Sequence, residues 1–221
     1  DEWTHYLHDP QGTMVGQDAL VGPPERTQWV AGPKYCRSHE IDSSVPAMVS
    51  ANGRLFYILD EGPIGITDPR YPARWALIAR DAFNGVLLWK KPISDWGWKA
   101  WSAQWTCRFT VPTHVPRRLV AVDDRVYVTL GFNAPLSELD AATGEALATC
   151  ESSERTREIV VTGDNNQDVP VEYTTLPPAA RTARHRSIVS AGTRYRSDRL
   201  NAWMIRSKHS CGLLGERAII S

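Results

Sequence analysis

Residues 79–89 of this 221-residue chain read ARDAFNGVLLW, and this stretch decides the fold. Apolar residues on its two sides predict two strands, and Asp81, Asn84 and Gly85 between them predict a tight turn. A degenerate copy, LDAATGEAL, occupies residues 139–147. A turn motif that recurs at the end of an apolar strand is typical of a repeat architecture, and it does not by itself indicate a reaction.

Strand patterns extend from this turn in both directions. The dipeptide Asn52-Gly53 is the strongest short hairpin signal, and a loop rich in glycine and proline follows over residues 60–72. Together they predict a first unit that is a four-stranded meander. Its predicted strands are Ala47–Ser50, Arg54–Leu59, Trp75–Ala79 and Val86–Trp89.

A second unit follows the same plan. Residues Arg125–Leu130 align with Arg54–Leu59 at an offset of 71, and Asp140 aligns with Asp81 at an offset of 59, because the first unit has the longer loop. Repeated four-stranded antiparallel units are typical of β-propeller blades. The predicted strands here are Leu119–Val122, Arg125–Leu130, Pro135–Leu139 and Ala146–Thr149, with Glu158–Thr162 opening a third unit.

Composition changes near residue 163. Residues 164–221 carry nine basic and five acidic side chains, and eight of the nine tryptophans precede them. We therefore divide the chain into residues 1–44, the remnant of a preceding blade with its loop; residues 45–163, the blades; and residues 164–221, a basic tail that is disordered, foreign to the fold, or a diverged blade. The predicted class is all-β: a partial β-propeller of four-stranded antiparallel blades with a poorly ordered C-terminal tail.

Bulk properties argue against several function classes. A net charge of zero and a pI near 7.2 give no sign of a nucleic-acid partner. No apolar run approaches the roughly 20 residues of a membrane span. A signal peptide is absent or already removed, because the first residues lack a basic and apolar leader. The scattered cysteines do not have zinc-site spacing, and no nucleophile-elbow, zincin, phosphate-loop or dinucleotide motif occurs.

The turn motif resembles the repeat of quinoprotein-type β-propellers, which is named after pyrroloquinoline quinone (PQQ) and reads Ala-x-Asp-x-x-Thr-Gly-x-x-x-Trp. The first copy matches it at Ala79, Asp81, Gly85 and Trp89, with Asn84 in place of Thr. The second copy matches it at Asp140, Thr143 and Gly144, with Glu138 and Ala148 in place of Ala and Trp. The resemblance covers about residues 45–163.

The chemistry of these motif residues predicts scaffold roles. Gly85 and Gly144 permit a positive φ, and Asp81 and Asp140 can accept hydrogen bonds from turn amides. Trp89 offers a flat apolar surface that can dock between adjacent blades. In the family the motif joins blade to blade without implying cofactor binding. The resemblance alone favours a periplasmic or extracellular location, and the sequence otherwise leaves the localisation open.

The resemblance also carries an enzymatic alternative. Quinoprotein dehydrogenases use a calcium ion, an aspartate base and often a vicinal disulfide, whereas this chain has no adjacent cysteines. A ring of about six to eight blades also needs more residues than the chain has. We therefore expect no cofactor, metal or catalytic residue here; PQQ and calcium are expected only if the chain is a fragment of a PQQ-dependent oxidoreductase.

Residues 95–105, DWGWKAWSAQW, hold four tryptophans. One interpretation is an aromatic platform for a sugar or another flat ligand. The preferred interpretation is a loop that folds over the core and buries its rings, because exposed tryptophan is costly. The platform residues would be Trp96, Trp98, Trp101 and Trp105.

Two polar groups are weaker candidates. His5, His8 and Asp9 could ligate a metal, but Pro10 argues against the helix that would align them, so ordinary histidines are preferred. The carboxylate pair at residues 60–61 ends a strand, where neighbouring side chains point to opposite faces. A solvated loop is therefore preferred to an acid/base pair.

The sequence thus predicts a non-catalytic PQQ-like β-propeller repeat segment that serves as a scaffold or protein-binding surface in a larger protein or assembly. The alternatives are a fragment of a PQQ-dependent oxidoreductase and a carbohydrate-binding module that uses the tryptophan-rich loop. The expected partner is a protein or the missing blades of the same propeller, because open blade edges invite strand pairing. We expect the isolated chain to be unstable or self-associating.

Overall fold

The computed structural model describes residues 1–20, 22, 24–37, 44–66, 71–101, 111–162, 171–175 and 207–208. Eleven strands make up nearly all of the regular secondary structure in these residues, with one four-residue helix, α1 (Trp98–Trp101), and two short 3₁₀ helices, Val115–Arg118 and Glu151–Ser153. The predicted all-β class is therefore confirmed. Within the described ranges, no helix is long and apolar enough to cross a membrane.

The first sheet is a four-stranded antiparallel meander in sequence order. Its hairpin turn lies at Asn52 and Gly53, whose φ angles of 46° and 70° fit the favoured two-residue hairpin. Glycine and asparagine tolerate this left-handed backbone, so the turn fixes the register of the first two strands. The strands are β1 (Ala47–Ala51), β2 (Arg54–Asp60), β3 (Trp75–Asp81) and β4 (Leu87–Pro92).

The second sheet repeats this plan. Its strands are β5 (Leu119–Val122), β6 (Arg125–Thr129), β7 (Leu136–Asp140) and β8 (Ala146–Cys150). The register shifts between Ala79 and Arg80 in the first sheet and between Glu138 and Leu139 in the second, which are matching positions of the two copies. The two four-stranded units therefore share both their topology and their irregularity, and the predicted strands lie within three residues of the observed bounds.

A third sheet has the strand order β11-β10-β9. Its strands are β9 (Thr156–Val161), β10 (Val171–Thr175) and β11 (Ser207–Lys208). Sequence reasoning predicted only the first of these strands, because no hairpin signal follows it. β10 and β11 belong to the range 164–221, and the rest of that predicted tail lies outside the described residues.

The main apolar core lies between the first and second sheets. Phe56 and Ile58 from the first sheet and Val126 and Val128 from the second are each 0% exposed. Because side chains alternate along a strand, Tyr127 points to the other face of the second sheet, where it joins a second core with Ile159 of β9. The sheets therefore pack face to face in sequence order.

The N-terminal residues cross the edge of every sheet. The N–H of Ser50 in β1 donates to the carbonyl oxygen of residue 3 at 2.8 Å, and the N–H of Ala121 in β5 donates to that of residue 4 at 3.0 Å. The N–H of Val161 in β9 donates to Nε2 of His5 at 3.1 Å. Successive residues of this segment therefore hold the three sheets side by side by satisfying their edge amides.

Candidate functional site

The first motif turn is closed by its aspartate. Oδ1 of Asp81 accepts the backbone N–H groups of Phe83 and Asn84 at 2.9 and 3.0 Å. The N–H of Gly85 donates to the Asp81 carbonyl at 2.9 Å. Gly85 has a φ of 74°, a conformation that a residue with a Cβ rarely adopts. These bonds use one carboxylate oxygen of Asp81 to shape the backbone.

The second motif turn is built in the same way. Oδ1 of Asp140 accepts the N–H groups of Ala142 and Thr143 at 2.9 Å each, and the Thr143 hydroxyl donates to it at 3.1 Å. The bonds from Thr143 and Ala142, led by the Thr143 amide, lower the pKa of Asp140. The N–H of Gly144 donates to the Asp140 carbonyl at 2.8 Å. This aspartate is therefore held ionised as an acceptor for its own turn.

In the first copy, asparagine takes over the hydrogen bond that threonine makes in the second copy. Oδ1 of Asn84 accepts the N–H of Val86 at 2.8 Å. In the second copy, Oγ1 of Thr143 accepts the N–H of Glu145 at 3.2 Å. Both side chains thus accept the amide two residues further on, which explains how the first copy keeps its turn without threonine.

Trp89 and Gly144 come from different units, and the structure brings them together. The indole Nε1 of Trp89 donates to the carbonyl of Ala141 at 2.9 Å. A Cβ on Gly144 would lie 2.7 Å from the Trp89 ring, so only glycine admits the ring at this distance. We call this contact of Trp89 with Ala141 and Gly144 the second joint. It fastens β4 of the first sheet to the turn of the second.

An equivalent contact fastens the N-terminal segment to the first sheet. Nε1 of Trp29 donates to the carbonyl of Ala82 at 2.9 Å, and a Cβ on Gly85 would lie 2.5 Å from the Trp29 ring. We call this the first joint. Nε2 of Gln28 adds a hydrogen bond to the carbonyl of Phe83 at 2.6 Å. The described residues 24–37 that carry Trp29 contain no strand.

Sequence reasoning missed the role of Trp29. It lies 53 residues before the carbonyl it binds, outside any strand pattern. The available signal was indirect. If a tryptophan of the preceding copy covers the glycine of each motif turn, then Gly85 also requires such a ring, and no earlier copy of the motif precedes it to supply one. A search for a partner ring upstream of residue 45 would have reduced the choice to Trp3 and Trp29.

The two replaced motif positions of the second copy face each other across two strands. In the first sheet Ala79 pairs with Trp89, and Ala79 is 0% exposed. In the second sheet Glu138 of β7 pairs with Ala148 of β8. The larger side chain of the pair therefore lies on the third strand of the second sheet, whereas in the first sheet it lies on the fourth strand. Glu138 forms an ion pair with Arg125 at 3.0 Å. The second sheet therefore presents no tryptophan at the position from which the first sheet makes its joint.

The tryptophan-rich loop is partly buried in the main core. Trp96 is 6% exposed and Trp101 is 1% exposed. The Trp101 ring centroid lies 6.5 Å from that of Trp96 and 5.9 Å from that of Phe132, both in edge-on contacts. These two rings are covered by protein and offer no open face to a ligand. The side chain of Trp98 and all of Trp105 lie outside the described residues.

The N-terminal histidines are engaged in hydrogen bonds. Nε2 of His5 accepts the N–H of Val161 at 3.1 Å, and its Nδ1 lies 2.8 Å from the Thr4 hydroxyl. Burial lowers the pKa of His5 to about 4, against an opposing effect of Asp9. His5 is therefore neutral at pH 7, with both nitrogens in use. In the part of the chain that the structure describes, no group of three or more potential ligand side chains could hold a metal.

The carboxylate pair at the end of β2 is used for structure. Asp60 is 6% exposed and forms a buried ion pair with Arg37 at 3.1 Å. Its Oδ1 also accepts the N–H groups of Gly62 and Arg74 at 2.8 and 2.9 Å. The solvated-loop interpretation was wrong for Asp60, because an arginine 23 residues upstream neutralises it and no local pattern predicts that pairing. Glu61 instead pairs with a lysine, Lys90, at 2.6 Å.

Comparison with protein-family models and with curated proteins found no match to this chain. The assignment of function therefore depends on the motif and on the contacts described above.

Proposed function

We propose that this chain is a non-catalytic scaffold built from PQQ-like β-propeller repeat units, and that it presents a binding surface to a partner protein in a larger protein or assembly. The observation that carries the proposal is the joint that occurs twice. In both joints a tryptophan ring covers a glycine of the motif turn and donates to a turn carbonyl at 2.9 Å. Such a contact fastens the chain that precedes a four-stranded unit to the motif turn of that unit.

The use of the motif's polar groups supports a scaffold role. Asp81 and Asp140 accept amides of their own turns, and the Trp89 N–H is bound to the next unit. A catalytic group has to touch a substrate, whereas each of these interactions is made within the protein. The motif therefore contributes stability and alignment, and a binding function falls to the outer surface of the units.

The outer edge of the first sheet is the surface that we assign to the partner. Among the described residues, β4 has a strand partner on its β3 side alone. The turn and strand there expose large apolar side chains: Phe83 (69%), Val86 (57%), Leu87 (49%) and Leu88 (41%). Edge strands of this kind pair with extended segments of other proteins. The proposed partner contributes such a segment, with apolar side chains, to the edge of β4.

The second sheet offers a matched edge for comparison. β8 occupies the same position as β4, but Leu147, which is 39% exposed, lies there between the exposed Ala146 and the half-buried Ala148. Leu147 aligns with Leu88 at the offset of 59 that relates the two copies. The two leucines therefore share a backbone position and differ in the apolar surface around them.

The test uses a second copy of the chain as the probe for strand addition. We expect concentration-dependent association in sedimentation velocity, because a free apolar edge pairs with another edge. Leu88→Lys should weaken this association by about tenfold or more, whereas Leu147→Lys should leave it nearly unchanged. A monodisperse monomer that melts cooperatively at all concentrations would overturn the assigned surface, and so would equal effects of the two variants.

The enzymatic alternative makes a separate prediction. A fragment of a PQQ-dependent oxidoreductase should bind PQQ in a calcium-dependent manner, whereas a scaffold should not. Titration of the chain with PQQ, with calcium or with EDTA, and with tryptophan fluorescence as the readout, distinguishes them. Saturable binding that requires calcium would replace the scaffold proposal by the enzymatic one. The carbohydrate-binding alternative lacks an open ring face at both Trp96 and Trp101.

A further inference from the structure

A buried arginine without a counter-ion lies just before β5. Arg118 is 1% exposed; its Nη1 donates to the carbonyl of Phe132 at 2.6 Å, and its Cζ lies 4.7 Å from the Phe132 ring centroid. Its Nε is buried and has no hydrogen-bond partner. Among the described residues, none of the ion pairs involves Arg118. A guanidinium buried in this way is strongly destabilising unless an opposite charge compensates it.

The groups around Arg118 are basic. The ring of His114 lies 5.9 Å from that of Phe132, and its Nε2 is also buried without a partner. Burial and the charge of Arg157 lower the pKa of Arg118 to about 9. Burial, then Arg118 and Arg157, lower the pKa of His114 to about 3. The charges of Arg118 and Arg157 thus repel each other, and the neutral His114 ring does not offset them.

The nearest acid on β9 is already engaged. Glu158 follows Arg157 directly, but its Oε1 pairs with Nη1 of Arg117 at 3.0 Å. Adjacent residues of a strand point to opposite faces, so Glu158 and Arg157 lie on different sides of β9. The positive charge at Arg118 therefore lacks an internal partner from the strand packed against it.

The surrounding aromatic cluster also has an excess of donors. Nε1 of Trp75 and Nε1 of Trp96 are buried without an acceptor. Both rings contact Trp101, at 6.1 and 6.5 Å between centroids, and Trp101 in turn contacts Phe132. An indole N–H can only donate. The chemistry that would complement this region is a group that accepts hydrogen bonds and carries negative charge.

We propose that Arg118, His114 and Arg157 form a binding site for an oxyanion, that is, a carboxylate or a phosphate group. The Nε edge of Arg118 donates to the anion in a charge-assisted bond, and the neutral His114 ring donates from Nε2. Arg157 lies on β9, which packs against the Val115–Arg118 helix, and its exposed side chain adds positive charge to the site. The site lies where the second sheet meets β9, away from the edge of β4, and it does not depend on the scaffold proposal.

The test titrates the full chain with inorganic phosphate and, separately, with acetate, at constant ionic strength set by sodium chloride. The readouts are the Tm and the NMR signal of the Arg118 Nε–H group. We expect a saturable rise in Tm and a saturable shift of that signal with at least one of the two anions. A response to phosphate alone assigns a phosphate group, and a response to acetate alone assigns a carboxylate.

Three variants locate the effect. Arg118→Gln should abolish the response, and Arg157→Gln should weaken anion affinity by about tenfold, because it removes one charge next to the site. Arg117→Gln is the matched control: it removes an adjacent arginine that is exposed and paired with Glu158, and should leave the response unchanged. Arg157→Gln keeps the test valid if Arg118→Gln fails to fold, because Arg157 is a surface residue.

Absence of a saturable response to either anion would overturn the site, and Arg118 would then be a buried charge that the fold tolerates. An equal loss of response in Arg117→Gln and Arg157→Gln would also overturn it, because the effect would then be a general one of surface charge.

Discussion

At the residue scale, the turn glycines have two separable requirements: a left-handed backbone and room for a ring. Gly144 has a φ of 75°, and a Cβ there would lie 2.7 Å from the Trp89 ring. Gly65 has a φ of 73° and nothing within 4 Å of the equivalent point. Alanine at Gly65 therefore meets backbone strain alone, whereas alanine at Gly144 also meets the ring.

We expect Gly65→Ala to lower the free energy of unfolding by about 1 kcal/mol, which is the cost of the left-handed backbone. Gly144→Ala should lower it by about 3 kcal/mol, because the ring must also move away from the turn. Urea denaturation of both variants measures the difference. Equal losses in the two variants would show that the ring contact contributes nothing to stability.

The sequence predicted these turns well because their chemistry is local. Asp81, Asn84 and Gly85 act within five residues of one another, and their types alone identify the turn. The burial of Arg118 could not be predicted, since a charged side chain is normally exposed and nothing local distinguishes it from Arg117. The unpaired guanidinium became visible only through contacts with Phe132, 14 residues away.

At the element scale, the strands of the two four-stranded sheets followed from alternation and turn signals, whereas the N-terminal segment did not. Residues 24–37 have no apolar periodicity, so the sequence predicts only that they belong, with the rest of residues 1–44, to the remnant of a preceding blade with its loop. The structure attaches the described part of this segment at two places, the first joint at Trp29 and the buried ion pair of Arg37 with Asp60. In contrast, the second joint connects two complete sheets that also share the main core.

Loss of the second joint should therefore destabilise both sheets, whereas loss of the first joint should have a smaller and more local effect on stability. Trp89→Ala should lower the free energy of unfolding of both sheets by about 3 kcal/mol, because it opens a gap between packed units. Trp29→Ala should cost less and act locally, because it releases the part of the segment around Trp29, while Arg37 still anchors the other end, and it leaves the sheet-to-sheet core intact. Hydrogen–deuterium exchange followed by mass spectrometry measures both effects.

In Trp29→Ala we expect faster exchange in residues 24–37 and in the turn at residues 82–85, with β5–β8 unchanged. In Trp89→Ala the turn at residues 141–144 should exchange faster as well. Each variant is the control for the other. Global acceleration of exchange in Trp29→Ala would contradict a local role for the first joint.

At the scale of the whole molecule, the three sheets are joined by the N-terminal residues as well as by their cores. His5 makes the last of these contacts, and it does so as a neutral acceptor of the Val161 N–H. Protonation of Nε2 removes the acceptor and leaves a charge in a buried position. Burial lowers the pKa of His5, and the charge of Asp9 raises it by a smaller amount.

The pKa of His5 is about 4 in the folded chain and 6.5 in its ordinary state, so folding favours the neutral ring. The stability that His5 contributes is therefore complete above pH 6.5 and is lost as the pH falls towards 4, by at most about 3 kcal/mol over that range. His5→Gln keeps an acceptor but does not titrate, so the loss of stability between pH 7 and pH 4.5 should be smaller in the variant. Urea denaturation at the two pH values measures this difference. His114, which titrates in the same direction, should leave part of the pH dependence in place, whereas an undiminished dependence in His5→Gln would show that protonation of His5 does not release the third sheet.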